Sequence, residues 1–119
     1  MFTCCIRYVL APGKLAEFKE YAHAWIPLIE KYGGTHHGYF VPSETADEMP
    51  ATTFSFPGRG SEGPADVAFA LFSFDAIETY EAYRRDVSED EECRRATARF
   101  NETNCFVSYE RTFLKPIFR

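Results

Sequence analysis

The stretch Gly33 to Phe40, GGTHHGYF, places two adjacent imidazoles beside a phenol, between glycines. A neutral imidazole accepts a proton near pH 7, and a phenol or guanidinium holds a developing oxyanion. His36, His37 and Tyr39 are therefore the candidate catalytic residues, with Arg7 as the anion partner. The same stretch also suits an edge strand whose histidines are merely hydrogen-bonded. In a strand, successive side chains point to opposite faces, so the two histidines of one chain cannot chelate one ion. Cys4, Cys5, Cys93 and Cys105 show no C-x-x-C spacing, and reduced thiols packed as small hydrophobes are expected. The reading assigns no metal and no cofactor.

Arg7, Glu110 and Trp25 are the candidate ligand-binding residues. Arg7 and Glu110 read equally well as a structural ion pair, and Trp25 as a core residue, because it continues an apolar stripe. No phosphate-binding glycine loop, G-x-S-x-G elbow or H-E-x-x-H motif is present, which removes nucleotide-binding, serine-hydrolase and zincin readings.

Something must position these groups. The 119 residues, 45% hydrophobic and 17% aromatic, suffice for one domain with a sizeable core. A net charge of −5 argues against nucleic acid, which requires a basic patch. No stretch resembles a signal peptide or a membrane span, so a cytoplasmic protein with no membrane partner is expected.

Residues 2 to 10 alternate as a strand, with Cys4, Ile6, Tyr8 and Leu10 on one face and Thr3, Cys5, Arg7 and Val9 on the other. Leu15, Phe18, Ala22, Trp25, Ile29 and Tyr32 form the stripe of an amphipathic helix, closed by Gly33. Pro27 predicts a kink near residues 23–25 or a fresh turn. Residues 34–41 alternate again; this register groups Gly38 and Phe40 with His36, and Thr35, Tyr39 and Val41 with His37, and leaves open which set looks inward. The stretch 43–66, rich in Glu, Pro, Gly and Ser, reads as an inserted loop or lid, with 53–58 as an optional short strand. VAFALFSF at 67–74 reads as a central strand covered on both faces. Asp75 with Glu78 predicts a capping box for a helix burying Ile77, Tyr80, Arg84 and Val87. A further helix opens near Ser88 and the acidic run, with Cys93, Ala96 and Phe100 inside. Residues 104–116 form the last strand, alternating Cys105, Val107, Tyr109 and Arg111 against Phe106, Ser108, Glu110 and Thr112.

The order strand, helix, strand, strand, helix, strand predicts an α+β, ferredoxin-like βαββαβ fold: a four-stranded antiparallel sheet with helices on one face. In that sheet the fourth strand lies beside the first, bringing Glu110 to Arg7. The other face of so apolar a sheet needs a cover, so a homodimer packed sheet to sheet around a pocket is expected.

Together, KLAEFKEYAHAWIPLIEKYGGTHHGYFVPSE, ALFSF, YEAYR and CFVSYERTFLKP resemble bacterial members of the NIPSNAP family in the dimeric α/β-barrel superfamily. The resemblance runs over almost the whole chain and implies a two-fold dimer of ferredoxin-like subunits, with higher assembly open. Superfamily relatives include cofactor-free monooxygenases, haem-degrading enzymes and isomerases, while animal NIPSNAP proteins are mitochondrial and linked to signalling and vesicle traffic. No catalytic motif carries over residue by residue. The loop 43–66 departs from the bacterial pattern. Two functions follow as expectations: a homodimer binding a small aromatic or anionic metabolite, as a cofactor-independent oxygenase or isomerase with His36 or His37 as base; or a non-catalytic dimeric interaction module.

Overall fold

The computed structural model describes residues 1–51 and 53–118. Its elements are β1 (Phe2–Leu10), α1 (Leu15–Lys31), β2 (Thr35–Phe40), β3 (Val67–Phe74), α2 (Ile77–Asp86), α3 (Glu91–Thr103) and β4 (Phe106–Leu114). The strands form one antiparallel sheet in the order β2-β3-β1-β4, with the helices on one face, as the α+β ferredoxin-like pattern requires.

Alternation along β1 separates the faces. Cys4, Tyr8 and Leu10 are buried under the helices, whereas Cys5, Arg7 and Val9 look away from them. Helix α1 lays Phe18, Ala22 and Ile29 on the sheet; it also runs through Pro27 as one helix, so no fresh turn begins there. Burial of Leu28 and Ile29, which directly follow the proline, outweighs the lost hydrogen bond. Gly33, at φ +94°, turns the chain out of α1, and the Gly34 N–H closes on the Ile29 carbonyl at 3.0 Å.

The helices of the second half differ in detail from expectation. Ala76 precedes α2 without a side-chain cap, so the Asp75–Glu78 capping box is not formed. Ile77 is exposed and Tyr83 takes the buried place. Asp90 caps α3, accepting from the Glu92 N–H at 2.8 Å, and the same carboxylate receives Tyr32 Oη at 2.7 Å and Lys31 Nζ. These partners, led by Lys31 and Tyr32, hold its pKa down at about 2. The end of α1 is thereby tied to the start of α3. Across the helical layer, the Arg99 guanidinium meets Glu20 at 2.8 Å.

Between β2 and β3, residues 46–48 form one 3-10 turn and the optional strand at 53–58 is absent among the described residues. The core falls into two clusters on the helix side, one around Cys4, Ile29, Phe72 and Tyr83, the other around Tyr8, Phe18, Ala68 and Ala70. Ile6 packs against both. β3 is central, as expected, and within the single chain Phe69 on its outer face is 36% exposed.

Candidate functional site

The two core clusters do not meet completely, and the gap between them is a cleft of about 280 Å³ under the helices. Its floor is the sheet, with Ile6 and Tyr8 from β1 and Tyr109 and Arg111 from β4. Its roof comes from Tyr21 and Trp25 on α1, Tyr80 and Arg84 on α2, and Thr97 and Phe100 on α3. Ala68 and Ala70 on β3, opposite Tyr8 and Ile6, leave room for the tyrosine rings. This cleft lies on the helix side, whereas the sequence placed a pocket on the open face between two sheets.

Two bulges decide what looks into it. The β2–β3 register slips between His36 and Gly38, where Gly38 sits at φ +116°, a conformation that favours glycine. The extra residue reverses the expected grouping beyond it. Tyr39 joins His36 on the helix side, their rings stacked 5.0 Å apart, and Gly38 and Phe40 fall on the face of His37. A second slip, between Val9 and Leu10, places Phe106 and Tyr109 on the same face of β4 and corrects the strict alternation expected there.

The six residues selected from sequence therefore divide. Trp25 and Tyr39 line the cleft; His36 lies behind its wall, against Tyr39 and Phe72. His37, Arg7 and Glu110 sit on the open face. There His37 Nε2 is 2.7 Å from Ser73 Oγ, which is 2.7 Å from Thr3 Oγ1. Ser73 is only 2% exposed and His37 has no carboxylate partner among the described residues, so the pair lacks the access and orientation of a serine nucleophile. Arg7 and Glu110 are directly paired in register and form an ion pair at 3.6 Å.

Electrostatics on the helix side favours neutral groups. Burial, and then the nearby His37, lowers the His36 pKa to about 4. Nδ1 of His36 accepts the Gly38 N–H at 2.9 Å, leaving Nε2 as the protonated nitrogen; it is buried and unpartnered. Trp25 Nε1 is likewise a buried donor without an acceptor. Tyr21, Tyr8 and Tyr39 are linked by side-chain hydrogen bonds, and burial raises the pKa of all three, so they remain O–H groups. Tyr83 is pushed up to about 12, again by burial. The site consequently offers hydrogen-bond donors in an aromatic cleft and no strong base.

Arg84 and Arg111 complete the lining, in which no carboxylate takes part. Arg111 Nη1 donates to Tyr80 Oη at 2.9 Å. Both positive charges reach the Cys4 thiol and moderate the rise to about 11 that burial imposes on it. Neither arginine was selected as a site residue from sequence. The available signal was phase: Arg84 falls on the inner stripe of α2, and Arg111 alternates with Tyr109.

Comparison with known proteins bears on the whole arrangement. The NIPSNAP family model matches residues 4–49, from β1 through β2 into the following connection. No curated protein matches the chain. An uncharacterized NIPSNAP domain protein from Burkholderia xenovorans has 17% identity and a TM-score of 0.69, over 98% of this chain and 95% of that one. A NIPSNAP family protein of unknown function from Agrobacterium tumefaciens has 15% identity and a TM-score of 0.68, over 98% and 87%. A Nitrosomonas europaea protein given the provisional name antibiotic biosynthesis monooxygenase has 8% identity and a TM-score of 0.64, over 99% and 100%. These likenesses establish the shared fold, and the NIPSNAP family model matches the chain over its first two strands and the helix between them.

Proposed function

We propose that the chain acts as a homodimer whose subunits each bind a small aromatic metabolite in the helix-side cleft, with cofactor-independent isomerisation or oxygenation as the chemistry. The observation that carries this reading is the cleft itself: tyrosine and tryptophan walls around a buried Trp25 N–H that has no acceptor. An unsatisfied buried donor costs about 1–3 kcal/mol, which a ligand oxygen would recover. Phenol O–H groups held neutral stabilise an enolate or phenolate oxygen as it forms, the shared demand of both reactions. His36 then orients Tyr39 by stacking, and the general base comes from the substrate or solvent. The likeness to the Nitrosomonas protein supports the architecture and leaves the reaction to the site.

The open face supports the dimer. Phe40 is 52% exposed and Phe69 36%, beside Cys5, Val9 and Leu71, and burying such a patch drives association. The same patch favours a second reading, a dimeric interaction module whose cleft stays empty. Native mass spectrometry on freshly purified protein separates them. A dimer with a discrete added mass, lost in the Trp25→Leu variant, is expected. A bare dimer favours the interaction module, and a bare monomer overturns both readings.

A further inference from the structure

We infer that the ligand of the cleft is an aromatic carboxylate, its ring held among the tyrosines and its carboxylate held by Arg84 and Arg111. The inference rests on the cleft being a ligand site and names the charge and class of what fills it. Charge balance is the starting point. In a chain of net charge −5, most arginines find acids: Arg7, Arg85, Arg94, Arg95 and Arg99 all stand in ion pairs. Among the described residues Arg84 and Arg111 stand in none, as does Arg59 in the β2–β3 connection, and of these Arg84 and Arg111 border the same cleft.

Their placement is specific to that cleft. Arg111 projects from the helix-facing register of β4, opposite Ile6, while Arg84 enters from α2, so floor and roof each contribute one guanidinium. Tyr80 Oη fixes one nitrogen of Arg111, leaving the remaining N–H groups of its fork to an outside acceptor. Guanidinium suits a planar carboxylate because parallel N–H donors meet both oxygens, and charge assistance roughly doubles such bonds. An aromatic body is required by the rest of the lining, where Tyr8, Tyr21, Trp25, Phe100 and Phe106 present ring faces and edges. A neutral ligand would leave the two exposed guanidinium groups to solvent alone; a compact inorganic anion would leave the rings unfilled.

The test uses 1-naphthoate and its neutral near-isostere 1-naphthamide with the full-length protein. Trp25 is the single tryptophan, so the one indole N–H cross-peak in a ¹H–¹⁵N spectrum reports occupancy of the cleft. Naphthoate is expected to shift this peak with an affinity at least about tenfold above that of naphthamide. The double variant Arg84→Gln, Arg111→Gln should abolish the preference of naphthoate over naphthamide, and unchanged circular dichroism confirms its folding. Equal affinities in the unaltered protein would overturn the carboxylate assignment and leave the cleft as a site for neutral aromatics. A preference that survives the double variant would overturn the assignment to these arginines. An indole peak that neither probe moves would overturn the cleft reading itself.

Discussion

The two faces of the sheet use similar residue types for opposite ends. Both carry a histidine, an arginine and a set of phenylalanines. On the helix side, burial lowers the His36 pKa, keeps the phenols protonated and leaves Trp25 Nε1 without a partner among the described residues. On the open face, His37 is satisfied by Ser73 and Arg7 by Glu110, while Phe40 and Phe69 remain accessible. Unmet polarity marks the cleft; unmet hydrophobicity marks the open face. The two faces thus differ in which kind of group is left unsatisfied.

The comparison breaks most visibly in stability. Phe18, 0% exposed beneath α1, should cost about 3–5 kcal/mol when truncated to Ala, seen as a lower denaturant midpoint. A loss below 1 kcal/mol would mean that the helical layer is not the true core. Next comes association: Phe69→Glu on the open face should weaken the dimer by roughly ten- to a hundredfold in sedimentation, since burial of a Phe is worth about 1.5–3 kcal/mol. Unchanged association would place any dimer interface elsewhere.

The histidines sharpen the contrast through pH. With its folded pKa lowered to about 4 from an ordinary 6.5, His36 binds its proton more readily in the unfolded chain. Its contribution is therefore fully present above pH 6.5 and is lost as pH falls from there toward 4. NMR should show one imidazole titrating near 4, and His36→Gln should flatten the stability profile across that window. A midpoint near 6.5 for His36 would show that water reaches the ring. The smallest effect belongs to the Arg7–Glu110 pair, with side chains 36% and 68% exposed. Replacing Arg7 with Met should change monomer stability by no more than about 0.5 kcal/mol, and a larger loss would reveal a desolvated pair.

Much of the fold was legible because it depends on period. The alternation of β1 and the three-and-four spacing from Leu15 to Tyr32 specify a strand and a helix wherever they dock. The Arg7–Glu110 pairing followed from strand order alone. Legibility failed where one residue of slippage mattered. Gly38 permits a bulge, yet GGTHHGYF shows no sign of whether the chain takes it, so Tyr39 was grouped with the wrong histidine. The α2 cap failed for a related reason: Asp75 has the right chemistry, but Ala76 occupies the position from which the helix departs.

By itself, the sequence determined element order, the apolar stripes and the absence of a chelating geometry for adjacent histidines, because these rest on local covalent geometry and on burial averaged over many residues. Only the tertiary structure decided which polar groups share an enclosure. That depends on two bulges, on alanines making room for tyrosines, and on arginines from α2 and β4 meeting across a gap. Each is a contact between segments distant along the chain, where shifts of a single residue reverse the outcome.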